Sequence, residues 1–289
     1  MAKTSSFESP MVSAKWLVDH MSAPDLRIVD ATWFAPFLNP EKTGEEAYME
    51  RHIPGARFFD IDEIADEASD FPHMLPSPEK FASRVKRMGI GDGHRVICYD
   101  QNGYFASART WWMFRVMGHS DVAVLDGGLD AWIAEGGELE DLPPVRADER
   151  HFTVRTRYDL FRTLPKMQSL VDAGATQILD ARPEGRFTGE APEPREGLAS
   201  GHMPGALNLP HGAIIGEDGK LKDEKALEAA FAAAGLNLDK PIVTTCGSGV
   251  SAAVLALGLA AIGRDDASVY DGSWSEWAAT KDAAIAVVG

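Results

Sequence analysis

Short apolar, β-branched runs alternate with helical patterns along the whole chain. The runs occur at residues 27–29, 96–99 and 122–125 in the first half, and at 178–179 and 242–245 in the second. Because these runs are continuously apolar, they are typical of parallel strands that are covered on both faces. We therefore predict an α/β fold with mainly parallel sheets, each flanked by helices on both faces.

The pattern of the first half recurs in the second. RIVDATWF at 27–34 returns as QILDARPE at 177–184, so that Asp30 corresponds to Asp180 at an offset of 150 residues. Three further pairs keep the same order: RHIPGARFFDI from Arg51 with GHMPGALNLPH from Gly201, RVICYDQNGYFASA at 95–108 with PIVTTCGSGVSAA at 241–253, and VLDGGLDAW at 124–132 with VYDGSWSEW at 269–277. A shared order of this kind indicates a duplication.

The duplication predicts two domains, 1–148 and 149–289. Between them, residues 138–158 hold Pro143-Pro144 and many charges, which is typical of a connector and leaves room for one strand. We interpret the paired HxPG and DGG/DGS segments as turns that shape both domains.

Composition and charge limit the possible partners. The chain of 289 residues carries a formal net charge of −16, which disfavours nucleic acid and anionic membranes. Its N-terminus lacks the apolar run of a signal peptide, and no stretch reaches the roughly 18 apolar residues of a membrane span, so we expect a cytoplasmic protein. With only Cys98 and Cys246, and no zinc-like spacing, we expect neither a disulfide framework nor a metal.

The sharpest local signal is the loop that follows the run at 242–245. Cys246 stands at the carboxyl end of this predicted strand, where ligands bind in open α/β sheets. Gly247 and Gly249 allow backbone N–H groups to point inward, and the helix that begins near Ser251 adds its positive end. This arrangement favours a thiolate, the nucleophilic form of cysteine. Cys98, inside an apolar strand, is typical of a buried structural residue.

Two comparisons define this loop more closely. At the equivalent place in the first half stands Asp100, which cannot form a persulfide, so we expect only one chemical centre. Cysteine phosphatases place an arginine six residues after the nucleophile, but here that residue is Ala252, which argues against phosphoryl transfer.

These motifs resemble the rhodanese superfamily: tandem domains, HxPGA in each copy, an inactive first loop and the six-residue loop CGSGVS in the second. The resemblance implies sulfur transfer through a persulfide on Cys246, with no cofactor. Thiosulfate sulfurtransferases of this superfamily typically carry CRKGVT, and 3-mercaptopyruvate sulfurtransferases CGSGVT, so Gly247 and Ser248 favour 3-mercaptopyruvate as donor. Ser251 replaces the usual threonine and keeps its hydroxyl. The implied acceptors are small thiols, a thioredoxin-like protein or cyanide.

The resemblance also implies further site residues. In the segment ARPEGRFTGEAPEPREG, Arg186 and Arg195 would bind the donor's carboxylate and carbonyl, unless they are surface charges or Arg186 pairs locally with Glu190. Asp62, His73 and Ser248 would relay protons, unless His73 only packs at an interface. The resemblance assigns substrate contacts to the remaining loop residues as well: Gly247, Gly249, Val250 and Ser251.

Two other functions stay open at this point. One is a thiosulfate sulfurtransferase on the same scaffold. The other is a non-catalytic binding module, against which the intact Cys246 argues.

Overall fold

The first half of the chain forms a five-stranded parallel sheet. The computed structural model describes residues 5–37, 41–143, 147–174 and 176–288. In chain order its strands are β1 (Met11–Val12), β2 (Leu26–Asp30), β3 (Arg57–Phe58), β4 (Arg95–Tyr99) and β5 (Val122–Leu125). They lie in the sheet in the order β1-β5-β4-β2-β3. The helices of this half are α1 (Ala14–His20), α2 (Gly44–Glu50), α3 (Pro78–Arg87), α4 (Phe105–Val116) and α5 (Gly128–Ala134).

The second half repeats this sheet with five further strands. They are β6 (Phe161–Arg162), β7 (Gln177–Asp180), β8 (Leu207–Asn208), β9 (Ile242–Thr245) and β10 (Ser268–Tyr270). They lie in the order β6-β10-β9-β7-β8, again all parallel. Its helices are α6 (Leu164–Ala173), α7 (Glu184–Thr188), a 3-10 turn at His211–Ile214, α8 (Glu224–Ala233), α9 (Val250–Ala261) and α10 (Ser273–Ala279).

The predicted α/β fold with two parallel sheets is confirmed. The central strand β9 is buried along its whole length, as expected for a strand covered on both faces. Asp30 and Asp180 are the last residues of β2 and β7, opposite Tyr99 and Thr245 of the neighbouring strands. Both carboxylates therefore lie at the carboxyl edge of their sheets.

The chain divides into two units. The first contains the residues up to Asp66, Leu75–Arg157 and Glu217–Lys220, and the second contains Glu67–Met74, Tyr158–Gly216 and the residues from Leu221 onward. In the described part of the predicted connector, 138–143 and 147–158, there is no strand beyond one isolated bridge from Glu140 to His52. Pro144 lies outside the described residues.

The HxPG histidines have the same surroundings in both units. The Nδ1 of His52 donates to the carbonyl of Tyr48 at 2.7 Å, and its ring stacks on Tyr48 at 3.9 Å. The Nδ1 of His202 donates to the carbonyl of Phe187 at 2.8 Å, and its ring stacks on Phe187 at 3.9 Å. Each histidine thus ties the turn before β3 or β8 to the preceding helix.

Equivalent tryptophans complete the two cores. Trp132 and Trp277 are both buried in the apolar cluster of their own unit. Each indole N–H donates to a backbone carbonyl, that of Glu138 at 2.7 Å and that of Ala284 at 2.9 Å. The buried polar tip is therefore satisfied in both copies.

Candidate active site

Cys246 stands directly after β9, in the loop that leads into α9. The residue is 2% exposed, and Gly249, which begins the helix, adopts the left-handed conformation with φ of 81°. This turn directs the N–H of Gly249 toward Cys246 Sγ at 3.1 Å. A backbone donor and the positive end of a twelve-residue helix both favour negative charge on this sulfur. The predicted location of the cysteine and its loop agrees with the structure.

The start of α10 forms hydrogen bonds with the backbone of the cysteine loop. The N–H of Cys246 donates to Ser273 Oγ at 3.1 Å, and Ser273 Oγ donates to the carbonyl of Tyr270 at 2.8 Å. The N–H of Trp274 donates to the carbonyl of Cys246 at 2.9 Å. The carbonyl of Gly247 accepts from both the N–H and the hydroxyl of Ser275, at 2.9 and 2.7 Å. The DGS segment, which the sequence predicts only as a turn, therefore fixes the backbone of Cys246.

Ser273 adopts a conformation that side-chain-bearing residues rarely take. Its φ is 49°, and Gly128, at the same place in the first unit, has φ of 56°. A Cβ on Gly128 would lie 2.4 Å from the carbonyl oxygen of Asp100, so the first unit requires glycine there. Non-glycine residues in this region cost about 1–3 kcal/mol and persist where the surroundings impose them. The second unit accepts this strain at Ser273, and the serine hydroxyl accepts the hydrogen bond from the N–H of Cys246.

Arg186 and Arg195 both lie beside the cysteine loop. A Cβ on Gly247 would lie 3.1 Å from Nη2 of Arg186 and 3.9 Å from Nη1 of Arg195. The structure thus brings together two arginines that are nine positions apart in sequence and the residue next to Cys246. A Cβ at position 247 would therefore crowd the guanidinium of Arg186 and make an ordinary van der Waals contact with that of Arg195.

A buried carboxylate holds Arg186 in place. Glu193, whose side chain is 2% exposed, accepts from Nε of Arg186 at 3.2 and 3.1 Å and also from its Nη2. Among the described residues, the side chain of Arg186 forms hydrogen bonds with Glu193 alone. The local partner considered from sequence, Glu190, is therefore not its partner. Because Nε and Nη2 are occupied, Nη1 stays available to a ligand.

The same carboxylate belongs to a buried charge network. Arg182, 1% exposed, donates to Glu193 at 2.7 Å and pairs with Asp180 at 2.7 Å. Its Nη2 also donates to the carbonyl of Gly201 at 2.7 Å, and its guanidinium stacks on Trp274 at 4.2 Å. Burial lowers the pKa of Arg182, but the attraction of Asp180 and Glu193 outweighs this and raises it. Two carboxylates thus balance two arginines here.

The first unit fills the corresponding loop with a carboxylate of its own. Asp100 is buried, and its two oxygens accept from the N–H groups of Tyr104 and Ser107, each at 2.9 Å. Burial raises the pKa of Asp100, and the hydrogen bonds from Ser107 and Tyr104 oppose this rise. The helix N-terminus that favours an anionic sulfur in the second unit is therefore occupied by a side-chain carboxyl group in the first.

Both units match one family model, that of the rhodanese-like domain, at residues 13–135 and 163–280. The chain belongs to the rhodanese family. The 3-mercaptopyruvate sulfurtransferase of Escherichia coli is 40% identical over 271 residues, which cover 94% of this chain and 95% of the relative. The thiosulfate sulfurtransferase of Bos taurus is 39% identical over 274 residues, which cover 92% of this chain and 91% of the relative.

Among solved structures, the crystal structure of SseA from Escherichia coli, described as a 3-mercaptopyruvate sulfotransferase, matches with a TM-score of 0.84. It is 37% identical and covers 92% of this rhodanese chain and 99% of its own. The two sequence relatives are named for different sulfur donors, yet they are almost equally similar to this chain. Overall identity therefore does not select the donor, and the residues of the loop must.

The three residues of the predicted proton relay of this rhodanese are assigned to different units. Ser248 lies in the cysteine loop and is 8% exposed, and His73 is a buried residue with φ of 60° in the segment Glu67–Met74, which belongs to the second unit. Asp62 belongs to the first unit, where its carboxylate accepts from the indole N–H of Trp33 at 2.7 Å. The relay through these three residues stays a prediction.

The remaining predicted contacts lie where the loop joins α9. Val250 is the first residue of this helix and is buried, whereas Ser251 is half-buried. Their contacts with substrate stay predictions. In the part of the chain that the structure describes, no cluster of three or more His, Cys, Asp or Glu residues could hold a metal ion. No helix within the described ranges is long and apolar enough to span a membrane.

Proposed function

We propose that this rhodanese transfers sulfur from 3-mercaptopyruvate to an acceptor through a persulfide on Cys246. The observation that carries the proposal is the position of Arg186 and Arg195 beside Gly247, in a loop without basic side chains of its own. Planar guanidinium groups match a carboxylate and a neighbouring carbonyl oxygen, which is the pattern of an α-keto acid. A loop that carries no positive charge suits this donor better than a sulfonate-bearing dianion.

In the first step the Cys246 thiolate attacks the sulfur of 3-mercaptopyruvate. A sulfur–sulfur bond forms, the carbon–sulfur bond breaks, and its electron pair moves onto the former C3 to give the enolate of pyruvate. The arginines and the loop N–H groups stabilise the charge on the enolate oxygen. The transferred sulfur keeps its hydrogen, so the cysteine becomes a persulfide with no change in the total number of electrons.

The enolate then needs one proton to become pyruvate. In this proposal Ser248, His73 and Asp62 together deliver it, because histidine exchanges protons readily near neutral pH. The role of Arg186 depends on Glu193, since this carboxylate accepts from Nε and Nη2 of the guanidinium and holds it beside Gly247.

In the second step an acceptor nucleophile, either a thiolate sulfur or the carbon of cyanide, attacks the outer sulfur of the persulfide. The sulfur–sulfur bond on Cys246 breaks, the acceptor leaves with the sulfur, and the cysteine thiolate is restored. Small thiols, a thioredoxin-like protein and cyanide all have the required nucleophile. The choice of acceptor and the cytoplasmic location stay predictions.

The test is the release of pyruvate from 3-mercaptopyruvate by the full chain, with dithiothreitol as acceptor. Thiosulfate with cyanide is run in parallel, and Cys246→Ser serves as the inactive control. We expect rapid pyruvate formation and weak use of thiosulfate. Preferential use of thiosulfate would exclude the proposed donor and keep Cys246, whereas transfer by the serine variant would exclude Cys246 as the nucleophile.

A further inference from the structure

A positively charged cavity, formed by residues other than those around Cys246, lies in the first unit near the start of β2. It measures about 320 Å³, within the lower range of ligand-binding pockets. Three arginines line it: Arg27 on β2, Arg57 at the start of β3, and Arg150 from the segment after α5. We call it the arginine cavity. Asp100, the counterpart of Cys246, follows the opposite, carboxyl end of the same sheet.

The charge of this cavity contrasts with that of the whole chain. The chain carries a formal net charge of −16, but the lining of the arginine cavity contains three arginines and a single carboxylate, Asp148. None of the three arginines forms an ion pair with a residue in the described ranges. Burial lowers the pKa of Arg27, and the positive charges of Arg150 and Arg57 lower it further. The cations thus repel one another across the cavity with too little negative charge to compensate.

Hydrogen bonds to backbone carbonyls fix two of the guanidinium groups but do not use all of their N–H donors. Arg27 donates from Nε to the carbonyl of Gly89 at 3.1 Å and from Nη1 to two carbonyls of its own turn, at 2.9 and 2.6 Å. Arg57 donates from Nη1 to the carbonyl of Gly55 at 3.0 Å, while its Nε is buried without a hydrogen-bond partner. The side chain of Arg150 forms no hydrogen bond with a described residue.

We propose that the arginine cavity binds the phosphate group of a small molecule. A dianion would relieve the repulsion among the three arginines and accept hydrogen bonds from N–H groups that carbonyls do not use. The volume leaves room for a phosphate ester beyond the phosphate itself. This site would be separate from the Cys246 loop, because its residues belong to the first unit.

The test is isothermal titration of the full chain with inorganic phosphate at constant ionic strength. We expect saturable binding that weakens about tenfold in Arg150→Gln and in Arg57→Gln, because each removes a charge-assisted contact. Lys166→Gln is the matched control, since it removes one positive charge from an exposed helical position in the second unit. Arg186→Gln tests for phosphate bound beside Cys246. We expect neither control to change the affinity.

Arg150→Gln is the decisive variant, since its side chain has no hydrogen bond to lose and its folding can be checked by thermal unfolding. Absence of saturable binding would overturn the proposal, as would binding that is lost only in Arg186→Gln or is unchanged in Arg150→Gln. A second titration with glycerol 3-phosphate separates the sources of the phosphate group: tighter binding than inorganic phosphate assigns an ester, and equal binding assigns the free ion.

Discussion

Ser273 offers a test of how the second unit fixes its nucleophile. The change to glycine relieves a strained backbone conformation that costs about 1–3 kcal/mol. It also removes the acceptor for the buried N–H of Cys246, which costs about 1–3 kcal/mol. The two effects oppose each other, so we expect the free energy of unfolding of Ser273→Gly to lie within about 1 kcal/mol of the wild-type value.

Ser273→Ala separates the two effects, because alanine keeps the strain and loses the hydroxyl. We expect it to be less stable than Ser273→Gly by about 1 kcal/mol or more, from the cost of a side chain in the left-handed region. This reverses the usual order, in which glycine is the less stable by about 0.5–1 kcal/mol in a helix or strand. The measurement is the free energy of unfolding from urea titrations of both variants.

Both variants should lose activity in spite of their different stabilities. Without the hydroxyl, the backbone of Cys246 is no longer fixed, and a misplaced reacting atom lowers the rate by about tenfold to hundredfold. The assay is kcat for pyruvate release under saturating 3-mercaptopyruvate. The matched control is Gly128→Ala in the first unit, where a Cβ would meet the carbonyl of Asp100 at 2.4 Å, so that stability falls and kcat does not.

Two results would refute this reasoning. If Ser273→Ala is as stable as Ser273→Gly, the backbone at this position holds no strain. If both variants keep the wild-type kcat, the hydrogen bond to the N–H of Cys246 has no part in catalysis.

Three further predictions concern the donor site and the sulfur carrier. Glu193→Gln should raise KM for 3-mercaptopyruvate about tenfold with a smaller effect on kcat, because it weakens the contact that positions the guanidinium of Arg186. Glu190→Gln is the control and should leave both constants unchanged. Equal effects of the two variants in steady-state kinetics would contradict this prediction. After treatment with 3-mercaptopyruvate and no acceptor, mass spectrometry should find one added sulfur on the peptide of Cys246 and none on that of Cys98. Burial raises the pKa of Cys98 well above its usual range, which disfavours its thiolate. Added sulfur on both peptides would argue against a single reactive cysteine. Ser248→Lys should increase turnover of thiosulfate relative to 3-mercaptopyruvate by about tenfold, since a cation in the loop favours the dianion, and an unchanged ratio would show that the loop does not select the donor.

All the inner strands except the three-residue β10 could be predicted from sequence, and the edge strands could not. Continuous apolar runs mark β2, β4, β5, β7 and β9, because these strands are buried and long enough to show a pattern. The edge strands β1, β3, β6 and β8 are two residues long, so they carry no periodicity. Their pairing depends on the neighbouring strand rather than on their own composition.

The site was predictable where a residue is chemically distinctive. Cys246 and its glycines could be identified from the loop itself, and the two arginines from the resemblance to rhodaneses. Arg182 and Glu193 were missed, because charged residues are usually exposed and nothing in the local pattern marks them as a buried pair. Asp180, two positions before Arg182 at the end of β7, was the one available hint.

Ser273 was missed for another reason, although the duplication held the signal. The two copies read DGG and DGS at this place, and glycine in one copy indicates a backbone that favours positive φ. A serine at the same position in the other copy is therefore expected to be strained, and strain is retained where a side chain is needed. Comparison of internal repeats can thus locate such residues without a structure.

The two loops give a physical reason to expect that one duplicated unit reacts and the other does not. Both place an acceptor after the central strand, and both hold its backbone from the start of a later helix. Leu129 N–H of α5 donates to the carbonyl of Asp100 at 3.1 Å, as Trp274 N–H of α10 does to that of Cys246. Both also aim helix N–H groups at the side chain. A carboxylate fills this position permanently, whereas a thiolate can accept sulfur, release it and return. The fold supplies the anion site twice, and the side chain at the end of the strand decides where chemistry occurs.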